Sequence, residues 1–378
     1  MKIAIVTESF LPDIGGITTT VVRQAEALLD RGHEPVVIAP APASPWPVEA
    51  ERCVPYPVVW VPSRQVSRSP ASTRLRGARV GLPTPAIYGA LAAYAPDVVY
   101  LVSPIVMGAR GALDARRLGI PIVALYYTDP HVIAGPNRVA DVTDWIWGKL
   151  CRIHGLADVN LAPTATTMRD LQDHNIPRVR LWNPGVDLRC FSPERRSERL
   201  RDALAPEGDL IVGYVGRLAA EKQIDLLADT ARLPGVRLVV VGDGPDQARL
   251  RSLLPQAVFT GSRRGKALAR LYAGMDVFVH PGGYETAGLT ILEAQASGCA
   301  VIVPATGGAS DLMQPDHSGV VVPSHDGASI ADAVAKLAAD RELLARMRTN
   351  ALRYAARHGW QTSTDQLVEH FRAAAACH

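Results

Sequence analysis

Short aliphatic runs that end in glycine or proline recur along the chain, separated by longer stretches whose apolar residues return at helical spacing. KIAIVT (2–7) reads as a strand, LPDIGG (11–16) as a glycine turn, and ITTTVVRQAEALLDRG (17–32) as a helix. Ile17, Val21, Ala25 and Leu28 share one face of that helix, and Gly32 stops it. EPVVIAP (34–40) is the next strand. Strand, helix, strand in that order opens a parallel sheet with covering helices. The pattern predicts further strands at 58–62, 97–102, 121–126 and 157–163, and helices at 86–94, 105–118, 141–155 and 164–174. Residues 41–57 and 62–85, rich in Pro, Ser and Arg, read as loops.

A second series begins after WNPGVDLRCFSPERR (182–196). Strands are predicted at 210–216, 237–245, 276–283, 300–308 and 319–324, and helices at 222–232, 246–254, 266–273, 289–297, 328–338 and 341–357. The chain therefore reads as α/β, with two doubly wound domains, 1–184 and 185–359, joined near 184–196. Ligands of such sheets sit beyond the carboxyl ends of the strands. Two such sheets facing each other make a cleft.

Composition narrows the partners. Net charge is +3 on 40 basic and 37 acidic residues, too balanced to imply a nucleic-acid partner by itself, and none is expected. Lysine is rare: Lys2, Lys149, Lys222, Lys266 and Lys336 are the five in the chain. The five cysteines form no CxxC pair or metal spacing and read as reduced thiols in a cytoplasmic protein. The first apolar run breaks at Glu8, too short for a signal peptide, and no stretch approaches the ~18 apolar residues of a membrane span. Peripheral contact with the inner face of an anionic membrane stays open.

Chemistry gathers in YETAGLTILEAQASG (284–298), which holds Glu285 and Glu293 in apolar surroundings. A carboxylate there needs a partner. The amides of Gly288, Leu289 and Thr290 would lie free at a helix start, a ready site for phosphate. The two acids suit sugar hydroxyls; surface acids are the competing reading. In VGRLAAEKQ (215–223), Arg217 and Lys222 lie at a strand end and could clamp a diphosphate leaving group. Surface cations at a helix end are the alternative. Gly15 and Gly16 let backbone approach a diphosphate or sugar, or merely let helix and strand pack. VGDGP (241–245) lacks the third glycine of a dinucleotide fingerprint, where Gln247 stands. No D-x-D, HExxH or H-x3-H set occurs, so no metal site is expected. SRQVSRSPASTRLRGARV (63–80) holds Arg64, Arg68, Arg74, Arg76 and Arg79 without an acid. It reads as a solvated loop or as an attractor for an anionic acceptor or membrane surface.

In order and spacing, the GG pair after the first strand, NPGVD (183–187), GRLAAEK (216–222), GDGP (242–245) and ETAGLTILEAQASG (285–298) resemble family 4 of the retaining glycosyltransferases. RIHGLADVNLAPTATTMRDL (152–171) and GVDLRCFSP (185–193) are most similar to its actinobacterial GDP-mannose-dependent α-mannosyltransferases. The resemblance implies the GT-B fold, two Rossmann-like doubly wound domains facing a central cleft, with a last helix (360–378) crossing back to the first domain. It implies transfer of a hexose, mannose favoured, from a nucleoside-diphosphate sugar to a hydroxyl of a glycolipid, polyol or natural product, without cofactor or metal. It places Arg217, Lys222, Glu285 and Tyr127 in the catalytic set. Gly15, Gly16, Gly216, Gly244, Gly288, Leu289, Thr290 and Glu293 would hold the donor, and Asp129, Arg64 and Arg68 would lie on the acceptor side. Tyr127 stands where many members carry histidine, in YYTD, and Ala287 where an aromatic is usual. A UDP-sugar donor, a sugar phosphorylase and a catalytically impaired sugar-nucleotide-binding protein are the alternatives.

Overall fold

Two parallel sheets organise the chain, each in its own unit. The structure, a computed structural model, describes residues 1–13, 15–43, 54–65, 79–127, 129–131, 140–376 and 378, with residues 140 and 141 described in backbone only. Unit 1 comprises Met1–Asn183 with Trp360–His378, and unit 2 is Pro184–Gly359.

Unit 1 carries a seven-stranded sheet. Its strands are β1 (Lys2–Thr7), β2 (Glu34–Pro40), β3 (Val58–Val61), β6 (Val98–Val102), β7 (Ile122–Leu125), β8 (Val159–Ala162) and β9 (Val179–Leu181). They run in the order β3-β2-β1-β6-β7-β8-β9, every pair parallel. All of β6 and, after the exposed Lys2, the rest of β1 are buried, as expected of strands covered on both faces. That is why they read as unbroken aliphatic runs.

Unit 2 repeats the plan with β10 (Leu210–Val215), β11 (Val236–Val241), β12 (Val258–Gly261), β13 (Val277–Val279), β14 (Ala300–Pro304) and β15 (Gly319–Val322), in the order β12-β11-β10-β13-β14-β15. Alternate residues feed two cores on opposite faces. Ile211, Val239, Val241 and Phe278 enter one, and Val212, Val240, Val277 and Ile302 the other. At the amino end of β13, buried Asp276 accepts from Ile211 N and Arg201 Nη1, both at 3.0 Å, and from Arg348 Nη1 at 3.1 Å. Two helices, Glu198–Leu204 and Arg341–Ala355, are thus tied to the sheet through one charge.

Several sequence expectations are corrected. The helix predicted at 222–232 is three separate 3-10 turns, Ala220–Lys222, Ile224–Leu227 and Thr230–Arg232. Gln223 has φ +50°, a left-handed conformation that interrupts the axis. Ile224, Leu227 and Ala231 are still buried, so the apolar spacing survives without one continuous helix. β9 and β12 stand at sheet edges, are only partly buried and lack an aliphatic run, so their sequences carry no strand signal. Within the stretch read as loop, β4 (Ser63–Gln65) and β5 (Arg79–Gly81) pair antiparallel. Arg79 Nε donates to Ala41 O at 2.9 Å and to Ser63 Oγ at 2.7 Å, which ties this ribbon to the end of β2.

The helix Trp360–Ala375 completes unit 1. Phe371 meets Tyr100 edge-on at 5.3 Å, and Trp182 Nε1 donates to Ser363 O at 3.0 Å. Among the described residues no helix is long and apolar enough to cross a membrane.

Candidate functional site

In both sheets the strand order reverses beside the first strand, between β1 and β6 in unit 1 and between β10 and β13 in unit 2. The carboxyl ends at such a reversal leave a crevice where ligands bind. Arg217, Lys222 and Glu285, singled out in the sequence, stand at the reversal in unit 2.

Gly216 follows β10, and Gly242 and Gly244 follow β11. A Cβ on Gly244 would lie 2.2 Å from Leu218 O, so the two strand-end loops touch backbone to backbone only because glycine stands there. Beyond them the turn Ala220–Lys222 carries Lys222 toward the loop after β13. Gly282 packs on that turn, where a Cβ would meet Glu221 O at 3.0 Å, and Gly283 N donates to Gln223 Oε1 at 3.3 Å. This close approach brings Lys222 Nζ to 2.9 Å from Glu285 Oε2.

The other oxygen of Glu285 faces backbone: Oε1 accepts from Gly288 N at 2.9 Å. The Gly288 amide, expected to be free for phosphate, is therefore taken by Glu285. Gly288 has φ +52° and caps the helix Leu289–Ala296, with Leu289 and Thr290 in its first turn. His280, just past β13, lies 3.4 Å from Glu285 Oε2. Burial pushes the Glu285 carboxyl up, but the Lys222 charge, His280 and the hydrogen bonds from Lys222 and Gly288 outweigh it and hold it well below the usual carboxylate range. Burial drives the His280 ring down to about 4, Lys222 adding to the effect and Glu285 opposing it, so the imidazole is neutral at physiological pH. The Arg217 guanidinium holds the Glu221 carboxylate, and Arg217 O accepts from the buried Tyr214 hydroxyl at 3.0 Å. Both cations of the expected clamp thus carry an acidic partner.

Glu293 is partnered separately: the Tyr272 hydroxyl donates to its Oε2 at 3.0 Å. Burial raises the Glu293 carboxyl to about 7, with Asp187 adding and the Tyr272 bond opposing. The structure thus brings Lys222, Glu285 and Gly288 into direct contact and leaves Glu293 one helical turn further in.

The remaining residues lie in unit 1. Gly15, in extended backbone where an added Cβ would meet nothing within 4 Å, precedes the helix Gly16–Leu29, and both glycines are exposed. Tyr127 is buried, its hydroxyl 2.8 Å from Thr20 Oγ1. Asp129 accepts from the His131 amide at 2.7 Å. Arg64 is exposed on β4, and Arg68 lies outside the described residues, as do Arg74 and Arg76. Among the described residues no three His, Cys, Asp or Glu side chains gather as a metal site.

Sequence reasoning passed over His280 and Glu221. His280 sits at the end of an aliphatic run, immediately before PGG, a position that marks a strand's carboxyl end. Glu221 lies inside the quoted GRLAAEK motif, four residues after Arg217.

Two family models match the chain, Glycosyltransferase Family 4 over residues 14–189 and Glycosyl transferases group 1 over residues 196–354. The chain is 43% identical over 375 residues to a GDP-mannose-dependent alpha-mannosyltransferase of Mycobacterium tuberculosis, covering 99% of this chain and 97% of that one. A protein of the same description from Mycolicibacterium smegmatis is 42% identical, with the same coverage. Among solved structures, a sucrose-phosphate synthase from Thermosynechococcus elongatus superposes with a TM-score of 0.81 at 21% identity, covering 100% of both chains. An Anabaena protein solved with UDP and glucose superposes with a TM-score of 0.78 at 19% identity, over 99% of this chain and 100% of that one. At those identities the structural likeness is one of fold.

Proposed function

The chain belongs to glycosyltransferase family 4, with its GT-B fold, and we propose that it moves mannose from GDP-mannose to an acceptor hydroxyl with the anomeric configuration retained. The choice of donor is supported by the full-length identity to two proteins of that description. The chemistry is supported by one observation above the rest: Lys222 and Glu285, 2.9 Å apart at the carboxyl end of the unit 2 sheet, with Arg217 on the same loop as Lys222.

Both cations are neutralised by carboxylates that a diphosphate, a stronger and multiply charged acceptor, can displace. On this reading Lys222 and Arg217 turn to the diphosphate. Glu285, released, accepts from a sugar hydroxyl, and Glu293 from the ribose hydroxyls. Leu289 and Thr290 supply amides, Gly288 once Glu285 lets go of it, and Gly216 and Gly244 let the loops come close. The bond from the anomeric carbon to the β-phosphate oxygen breaks as charge grows on that oxygen. The acceptor hydroxyl bonds to the same face, and its proton passes to the departing diphosphate. Lys222 and Arg217 stabilise the developing charge. The family roles of Gly15, Gly16, Tyr127, Asp129, Arg64 and Arg68 rest on the resemblance. An acceptor on an anionic lipid surface is tested by co-sedimentation with anionic and neutral vesicles at low and high salt.

Thermal denaturation with GDP-mannose, UDP-glucose and dTDP-glucose tests the donor. A ligand at ~100 times its dissociation constant stabilises by ~2.7 kcal/mol. A shift with GDP-mannose alone, and an α-linked product by NMR, is the expected outcome. A shift with UDP-glucose and none with GDP-mannose overturns the choice of donor.

A further inference from the structure

Three groups meet Glu285 from different elements, and they differ in how freely they can leave it. Lys222 Nζ, 2.9 Å from Oε2, ends a long flexible side chain on the turn Ala220–Lys222. The Gly288 amide, 2.9 Å from Oε1, caps the helix that follows. The third is His280, 2% exposed, whose Nε2 stands 3.4 Å from Oε2, the oxygen that Lys222 holds. Neither ring nitrogen of His280 has a partner at full hydrogen-bond geometry among the described residues, an uncommon state for a buried imidazole. An apolar side chain would fill the same space without leaving buried polar atoms unpaired.

Donor binding changes what Glu285 needs. On the glycosyltransferase reading, on which this inference rests, the diphosphate draws away both Lys222 and the Gly288 amide. Glu285 is then a buried acid stripped of both bonds, and it must stay charged to accept from a sugar hydroxyl. The backbone at His280 and at Glu285 is pinned: His280 N donates to Ile302 O on β14 at 2.9 Å, and Gly308 N donates to Glu285 O at 2.8 Å. The two side chains therefore stay side by side when the lysine leaves. Tyr214, also near Glu285, is buried with its hydroxyl donating to Arg217 O at 3.0 Å, and burial keeps it protonated. Departure of Lys222 also removes a cation that disfavours a charged His280 ring, while Glu285 and the Gly282 backbone favour one.

We propose that His280 is a positioning residue: its Nε2–H takes over Oε2 of Glu285 when the diphosphate draws Lys222 away, and keeps the carboxylate aimed at the sugar. The tautomer with its proton on Nε2 is the one that can donate there. No bond is made or broken at the ring. A neutral N–H offsets burial less than an ammonium does, so Glu285 takes a proton more readily in the donor complex than in the free protein, and more readily still without the ring.

The test compares pH profiles of GDP-mannose turnover in the wild type, His280→Met and His280→Gln. Methionine fills the space without a donor, whereas the glutamine amide can still donate to Oε2. In His280→Met, kcat should fall about 10- to 100-fold, as for loss of a hydrogen bond to a charged group, with KM and the GDP-induced thermal shift little changed. The kcat profile, which reports the complex, should move its acid limb up by about one pH unit, while the kcat/KM profile, which reports the free protein, keeps the wild-type limb. His280→Gln should recover both the rate and the limb. Coinciding kcat limbs in all three proteins would overturn the proposal, as would a loss of rate that His280→Gln shares. If His280→Met melts early, wild type with isotope-labelled histidine carries the test by NMR. Saturating GDP should move the Nε2–H proton of His280, assigned by its loss from His280→Gln, downfield; a signal unmoved by GDP overturns the proposal. A protein that neither turns over GDP-mannose nor melts later with GDP would strike the donor reading itself, and this proposal with it.

Discussion

Glu8 in unit 1 and Glu285 in unit 2 stand at the carboxyl ends of parallel sheets built on the same plan, each with one oxygen turned to backbone amides. The second oxygen differs. That of Glu285 meets an ammonium at 2.9 Å, while that of Glu8 meets no described group. Their carboxyls move in opposite directions from the ordinary value, Glu8 up and Glu285 down. Backbone amides alone do not offset the burial of Glu8, whereas the Lys222 charge, with His280 and the Gly288 amide, more than offsets that of Glu285. The same topology thus offers one acid already balanced and another still short of a partner.

Removing the cation is the strongest way to break this contrast. Lys222→Met should leave Glu285 in the state of Glu8, its carboxyl raised by burial, and should cut turnover of GDP-mannose by ~10²–10³ because a donor to the developing charge is lost. Arg217→Ala and Glu285→Ala should fall in the same range. Turnover within a few-fold of wild type in all three variants, measured as GDP release, would remove these residues from the chemistry.

Glu293 is an intermediate case, an acid whose partner is a neutral phenol. With its carboxyl held up at about 7 by burial, it is half charged near neutrality. Ribose hydroxyls donate to the charged form, so GDP affinity should rise with pH, by about tenfold between pH 6 and pH 8. The folded state favours the protonated acid, so this group's contribution to stability is full below ~4.5 and is lost as pH rises through 7. Glu293→Gln should flatten the affinity profile and gain in melting temperature relative to wild type at pH 8. Calorimetric titrations with parallel slopes for the two proteins would show that Glu293 does not meet the nucleotide.

A smaller effect is expected at Tyr127, whose hydroxyl is engaged by Thr20 on the helix Gly16–Leu29. Tyr127→Phe should cost about 1 kcal/mol in urea unfolding while retaining most of the turnover. An inactive variant of normal stability would give the phenol a direct role. Chelation should change least of all: with Lys222 and Arg217 as counter-charges, EDTA is expected to leave turnover intact. Loss restored by Mg²⁺ or Mn²⁺ would mean that the cationic pair is insufficient.

Legibility in the sequence followed burial. Strands covered on both faces, such as β1, β6, β10 and β14, could be read directly because their aliphatic content has no other explanation. Edge strands β9 and β12 are partly exposed and left no such mark. The break at Gln223 was hidden because its left-handed conformation depends on the loop against which it packs. Glu285 and Lys222 each stood out alone, one as an acid in apolar surroundings and the other as a rare lysine. Their contact, between residues 63 apart, was beyond any local pattern. Glu8 showed only as an interruption, because the amides that hold it lie at the start of the helix Met107–Arg117, 97 to 100 residues away.

The return of the helix Trp360–Ala375 to unit 1 orders events during biosynthesis. As the chain leaves the ribosome, the first sheet emerges early, yet Tyr100 and Trp182 wait for Phe371 and Ser363 until all of unit 2 has been made. Unit 2, one continuous segment, can close while unit 1 still exposes an apolar seam. Nascent chains stalled after Gly359 should therefore show a protease-resistant second unit beside a digestible first, and resistance in the first should arrive only with the last helix. Equal resistance of both units in such stalled chains would show that the closing helix is dispensable for the first fold.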